Sequence, residues 1–198
     1  MKLRESGMPE EAYWETLLDV PLILDRLGIN RELRDVVELG CGYGTFTLPV
    51  AQRISGVLTT FDIESAMVER TRQRAAQAGV SNVLYVVDDV FANGFGGAPA
   101  SKDACLLFNI LHCEQPVRLL AEAARVVRPS GFVHAIHWRY DPATPRGPSM
   151  EIRPRPEQIV NWAKEVRLFA SPEGVLDLPP WHYGIRFQRV AENGYRIV

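Results

Sequence analysis

The sequence predicts an α/β fold wound on both faces of a mostly parallel sheet, and three observations carry that prediction. Apolar runs of strand length alternate with segments of helical period from residue 36 to residue 137, the pattern of repeated βα units. The first run, Val36-Val37-Glu38-Leu39, stops at a turn in which Gly40, Gly42 and Gly44 alternate. The second and third runs stop at acidic residues, Asp62 and Asp88-Asp89. Open α/β sheets bind ligands beyond the C-terminal ends of their strands, so the turn and the carboxylates fall where a polar ligand would lie.

The composition is that of one globular domain over 1–198: 46% of the residues are hydrophobic and 23% charged, enough for a single core. The net charge of −2 gives no electrostatic case for nucleic acid or an anionic membrane. No apolar run approaches the roughly 20 residues of a membrane span, and Met1 to Glu5 has no signal-peptide character. Cys41, Cys105 and Cys113 are odd in number and lack metal-ligand spacing. They read as reduced thiols of a cytoplasmic protein.

The elements follow in order. Residues 9–27 open with Pro9, Glu10 and Glu11, a favourable helix start. Tyr13, Leu17, Val20, Leu24 and Leu27 then repeat at helical spacing. Pro21 predicts a kink or two helices meeting there, and Gly28 ends the segment. After the first strand, glycines without Cβ let a ligand come close, and Thr45 is placed to cap a helix over 46–53. A second strand, 57–61, ends at Asp62, which can accept both hydroxyl hydrogens of a ribose or cap the helix 64–78. That helix carries Arg70, Arg72 and Arg74 outward and stops at Gly79. A third strand, 82–87, leads into a turn-rich, flexible loop at 93–99.

The fourth strand, 103–108, ends in Asn109-Ile110-Leu111-His112, at the switch point between the first and fourth strands. His112 is the first candidate for a general base, with an ordinary pKa of about 6.5. Glu114 could orient it, and Asp103 and His137 stand behind it as candidates. A helix over 117–127 and the turn Arg128-Pro129-Ser130-Gly131 precede a fifth strand, 132–137. His137, Trp138, Arg139 and Tyr140 leave the sheet at the same rim. Arg139, Arg146, Arg153 and Arg155 cluster behind them, either as an anion-binding group or as a solvated loop. A last helix, 156–168, and two strands, 174–178 and 183–190, complete the chain.

The stretch Glu38-x-Gly40-x-Gly42-x-Gly44 resembles motif I of the class I S-adenosylmethionine (SAM) methyltransferases. Thr45 stands where the dinucleotide fingerprint has its third glycine or alanine, which argues against an NAD-binding domain. Asp62, Asp89 and the strand end Asn109 to His112 extend the resemblance over 36–137. The turn at 128–131 resembles the family's turn before strand five, with Ser130 replacing a glycine. The overall wording looks most like that of the small stand-alone members.

The resemblance implies a doubly wound Rossmann-like sheet of seven strands, mostly parallel with the last strand antiparallel, and helices on both faces. It divides the chain into an N-terminal helical lid (1–30), a SAM-binding core (31–137), and a rim loop, last helix and strand pair (138–198). It implies SAM as cofactor, S-adenosylhomocysteine as product, and no metal. Gly40, Cys41, Gly42 and Gly44 would lie against the methionine part, with Glu38 at its amino end. Asp62 would hold the ribose and Ile63 the adenine. Asp89 would meet the adenine amino group, with Val90 beside it and Phe91 over the ring. Asn109 would close the cofactor site next to the acceptor. Tyr13, Trp14, His137, Trp138, Arg139 and Arg146 would wall the acceptor pocket.

No Asn/Asp-Pro-Pro-aromatic sequence follows the fourth strand, which favours a small-molecule methyl acceptor. Two alternatives stay open: a non-catalytic SAM sensor or protein-interaction module, and a methyltransferase acting on protein or nucleic acid. Fold alone does not choose among them, nor does the sequence fix the oligomeric state.

Overall fold

The structure, a computed structural model, describes residues 8–190. The beginning of the expected lid (1–7) and the end of the domain (191–198) lie outside the described residues. Seven strands form one sheet: β1 (Asp35–Leu39), β2 (Val57–Asp62), β3 (Val83–Val87), β4 (Lys102–Phe108), β5 (Val127–Trp138), β6 (Leu168–Leu178) and β7 (His182–Arg189). Their order is β3-β2-β1-β4-β5-β7-β6. β7 is antiparallel to β5 on one side and to β6 on the other, while β1 to β5 pair in parallel. This is the seven-stranded arrangement expected.

Strand alternation splits the core into two. Val37, Cys105, Leu107, Val133 and Ala135 pack with α6 (Pro116–Val126) and α7 (Pro156–Glu165). Val36, Ala104, Leu106 and Ile136 pack with α2 (Val20–Arg26) and α3 (Thr47–Arg53) on the other face. Successive strand residues point to opposite faces, so both faces of β1 and β4 must be apolar, as they are. Each fully buried leucine here contributes about 2 kcal/mol. α4 (Ser65–Gln77) lies beside α3 against β2 and β3.

The segment 9–27 is two helices, α1 (Glu11–Glu15) and α2, one of the two outcomes expected from Pro21, while several other boundaries differ from the sequence reading. The break falls before Pro21, because the Asp19 side chain accepts the Leu22 N–H and caps α2, with the proline in its first turn. Thr45 does not cap α3. That helix starts at Thr47 after Phe46, with no side-chain cap. The turn 128–131 sits inside β5 as a bulge: Val127 pairs with Lys102, and Phe132 with Ala104. β6 starts six residues before the expected Gly174, at Leu168, with a register shift between Ala170 and Val175. The loop at 93–99 is anchored, since the Phe95 N–H donates to Glu122 Oε1 and Arg125 donates to the carbonyls of Gly96 and Gly97. A four-residue helix, α5 (Val90–Asn93), precedes it. Among the described residues no helix is long and apolar enough to cross a membrane.

Candidate active site

The C-terminal ends of β1 to β5 open into one cleft. Gly40, Gly42 and Gly44 all have positive φ, at 83°, 50° and 80°, which explains the alternating glycines. They differ in what surrounds them. A Cβ on Gly40 would meet nothing within 4 Å, whereas one on Gly44 would stand 2.8 Å from Leu48 Cδ1 and 3.0 Å from Thr71 Cγ2. Gly40 and Gly42 line the cleft. Gly44 packs against Leu48 of α3 and Thr71 of α4 and is not on the cleft wall.

Glu38, 2% exposed, is on the cleft wall. Its Oε2 accepts from the hydroxyls of Thr47 (2.7 Å) and Thr60 (2.8 Å). Burial raises its pKa to about 7, against the lowering effect of those hydrogen bonds. Asp62 Oδ2 accepts the Gly42 N–H (3.1 Å) and faces the Cys41 thiol (3.6 Å), while Oδ1 accepts the Glu64 N–H (3.0 Å). One carboxylate therefore ties the glycine turn to the start of α4. Burial pushes the Cys41 thiol up, so it stays protonated.

Asp89 Oδ1 accepts the N–H of Phe91 (2.9 Å) and caps α5. Asp88 Oδ1 accepts from Asp89 N and Asn93 Nδ2. Both aspartates line the cleft with Ile63, Val90 and Phe91. Asp88 thus belongs to the wall as much as Asp89 does.

At the end of β4, Asn109 has φ 56°. Its Nδ2 lies 3.4 Å from His182 Nε2, and its Oδ1 is buried without a partner. The Thr45 hydroxyl, also on the wall, is likewise buried without a partner. Buried polar atoms of this kind call for a ligand or water to complete them. His112 Nδ1 lies 3.3 Å from His137 Nε2. Burial lowers the pKa of both rings, His137 well below its ordinary value, with His112 its next cause. Burial, with Arg139 and Arg153 nearby, lowers His182 to about 3. The His182 ring lies tilted against Trp138, centroids 4.2 Å apart, and Trp138 meets Trp14 edge-on at 6.3 Å.

The structure brings Glu38, Gly40, Cys41, Gly42, Asp62, Ile63, Asp89, Val90, Asn109, His112, Trp14, Trp138 and Arg146 onto the wall of one cleft. It leaves others off it. Tyr13 is 42% exposed and absent from the wall. His137 is fully buried and reaches the cleft through His112. Arg139 turns to an ion pair with Asp177. Glu114 is exposed, and His112 is partnered by His137 instead. Asp103 is at the opposite end of β4, accepting from Arg34 N, Asp35 N and Arg128, too far down the strand to serve as a base. Arg153 donates to the carbonyls of Arg139, Asp141, Arg146 and Pro148 and so folds the rim loop around itself. Arg155 covers the Tyr140 ring at 3.7 Å.

Arg70, partly exposed, and Arg74 reach from α4 to α1. Arg70 pairs with Glu11 (2.8 Å), and Arg74 pairs with Glu11 (3.0 Å) and Glu15 (2.8 Å). Tyr43 Oη donates to the Pro9 carbonyl (2.9 Å). These contacts hold α1 over the glycine turn. Sequence reasoning missed Thr45, Phe46, Phe108 and His182. Among the described residues no three His, Cys, Asp or Glu side chains converge as a metal site.

Comparison with known proteins agrees with this geometry. A methyltransferase domain family matches residues 36–131. A ubiquinone biosynthesis O-methyltransferase of Neisseria meningitidis is 25% identical over 139 residues, covering 67% of this chain and 57% of that protein. The 23S rRNA (uracil(1939)-C(5))-methyltransferase RlmD of Alcanivorax borkumensis is 35% identical over 83 residues, 42% of this chain and 18% of that one. The chain thus spans from under a fifth to just over half of these curated relatives. A SAM-dependent methyltransferase structure from Aquifex aeolicus shares the fold, with TM-score 0.78 and 18% identity over 91% of this chain and 94% of that one. The glycine turn, the carboxylates at successive strand ends and the matched segment converge: residues 36–131 match the methyltransferase domain family, on the fold that a SAM-dependent methyltransferase structure shares.

Proposed function

We propose that this protein transfers a methyl group from SAM to a small-molecule acceptor. The observation that carries the reading is the cleft wall itself. Four carboxylates, those of Glu38, Asp62, Asp88 and Asp89, face one cleft whose other walls are Ile63, Val90, Phe91 and the rings of Trp14, Phe46, Phe108 and Trp138. A cation with a flat heterocycle and a ribose suits that wall, and an anionic pyrophosphate does not. The open space before Gly40 and the unpartnered Thr45 Oγ1 and Asn109 Oδ1 fit a ligand with hydrogen-bond donors.

When bound, SAM supplies an electrophilic methyl carbon on a positively charged sulfur. The residues of the chain do the rest. Gly40 and Gly42 admit the amino-acid end, with Glu38 opposite its positive charge. Asp62 takes the ribose, Asp88 or Asp89 the adenine amino group, and Ile63 and Phe91 the ring faces. α1 and the rim loop exclude water, which leaves alignment as the main catalytic contribution. His112, kept neutral by burial, takes a proton from an acceptor that must lose one. The O-methyltransferase relative, which matches along more of its length than the rRNA enzyme does, supports a small acceptor.

Calorimetric titration with SAM and with NAD, on wild type and Asp62→Ala, tests the reading. SAM should bind in the micromolar range, and Asp62→Ala should lose about 1–3 kcal/mol, the cost of stranding hydrogen-bonded partners. Absent SAM binding, or binding indifferent to Asp62, would overturn it.

A further inference from the structure

We propose that the acceptor is a flat, uncharged, hydroxylated aromatic molecule, seated in a second cleft on the far side of His112. The inference rests on the methyltransferase reading above and names its substrate class. The second cleft lies between the β4–α6 connection, the rim loop and α7. Among the described residues, His112 is the one side chain that lines both clefts. His112 is therefore the point at which a molecule in the second cleft would meet the cofactor side.

The walls state what fits. Tyr140 and Trp162 are aromatic, and Met150, Ile152 and Pro116 are apolar. The Tyr140 ring is fixed by the Arg155 guanidinium 3.7 Å from its centre. Rings and aliphatic side chains in this setting favour a planar apolar guest. The charges disfavour an anion. Arg153 is committed to backbone carbonyls and Arg155 to Tyr140, while Glu114 and Glu151 line the same cleft. The hydroxyl follows from His112. A ring hydroxyl titrates near 10, as in tyrosine, and an imidazole in contact with it can take its proton as the oxygen bonds to the methyl carbon, the carbon–sulfur bond breaks with its electron pair going to sulfur, and S-adenosylhomocysteine leaves.

The probe is 2-naphthol, titrated into the protein with and without saturating S-adenosylhomocysteine. The indole N–H resonances of the four tryptophans, assigned with phenylalanine variants, report where it binds. The Trp162 resonance should move, while those of Trp14 and Trp138 should not lead the change. Trp162→Ala should weaken 2-naphthol by about tenfold or more, with S-adenosylhomocysteine affinity unchanged. Tyr140→Ala, on a half-exposed loop, gives the same test if Trp162→Ala misfolds. The anionic analogue 2-naphthoate should bind about tenfold more weakly than the naphthol. Movement confined to Trp14 and Trp138, no movement at millimolar naphthol, or preference for naphthoate would overturn the proposal. Failure of S-adenosylhomocysteine to bind would strike the cofactor reading instead, and the naphthol arm without it still reports on the second cleft.

Discussion

His112 Nδ1 and His137 Nε2 lie 3.3 Å apart, with the two rings nearly perpendicular at 79°. Both rings are neutral, because burial lowers both pKa values. One nitrogen of the pair must donate and the other accept. Donation from His112 Nδ1–H leaves His112 Nε2 bare and basic. Nitrogen-15 imidazole shifts should therefore find His112 unprotonated at Nε2 near pH 7, and His137→Phe should shift its tautomer balance. A wild-type His112 protonated at Nε2 would make it a hydrogen-bond donor and end its candidacy as the base.

Glu38 predicts opposite effects on stability and on binding. Its folded pKa, about 7, stands above the ordinary 4.5 of a glutamate. The folded state then holds the extra proton, so its contribution to stability is greatest below about 4.5 and fades as pH rises through about 7. At pH 8, Glu38→Gln should stabilise the ligand-free protein by about 1–3 kcal/mol and weaken SAM binding. Thermal melts and titrations at pH 6 and 8 check both halves. A variant that melts lower at pH 8 would contradict the burial argument.

The buried histidines set the acid limit. His134 and His182 are lowered to about 3 by burial, below their unfolded values near 6.5. Their contribution is complete above about 6.5 and is lost as pH falls toward about 3. Each should steepen acid destabilisation by about 1.4 kcal/mol per pH unit in that window. His134→Gln, remote from the cleft, should flatten the dependence of the melting temperature on pH between 6 and 4. An unchanged slope would mean that the ring is hydrated in solution.

Gly40 and Gly44 separate strain from space. Gly44→Ala should lose about 1–3 kcal/mol of stability, because its Cβ enters packed side chains. Gly40→Ala should lose about 1–2 kcal/mol from its positive φ alone, and its SAM affinity should fall further, since the methyl enters the cleft. Denaturant melts with and without SAM distinguish the two. Equal ligand losses would mean that both act through the backbone.

Arg74 joins α1 to the cofactor turn, pairing with Glu11 and Glu15 while donating to the Tyr43 carbonyl at 3.0 Å. Arg74→Ala should raise hydrogen exchange in α1 and speed SAM release by a few-fold. The stability change should be about 1 kcal/mol or less, as for ion pairs that water still reaches. Wild-type release should quicken as salt rises. A salt-independent rate would show that the apolar contact of Trp14 with Trp138 holds the helix instead.

How much of this was legible in the sequence depended on whether the cause was local. The alternation of Val36 and Val37 between two cores, the glycine turn and the carboxylates at strand ends are written in short stretches, and these features stand at the strand ends where the sequence puts them. What escaped depended on distant partners. Arg70 and Arg74 look like an outward helix face until Glu11 and Glu15, more than fifty residues away, meet them. Arg139 and Arg146 look alike in the rim loop, yet one faces Asp177 and the other the cleft. Thr45 has a capping residue's chemistry, but the helix begins two residues later. His182 has no local signal, because its role follows from where β7 inserts.

That insertion also orders events in time. Among the described residues β7 is the last strand in sequence, yet it lies inside the sheet between β5 and β6, with His182 at its first position beside Asn109. A nascent chain that has released residues up to about 180 can have its glycine turn and its carboxylates assembled. It still lacks the covering strand for β5 and the imidazole behind Asn109. The site therefore matures only when synthesis has passed β7, so a ribosome-stalled or C-terminally clipped chain would carry the cofactor motif on an unfinished floor.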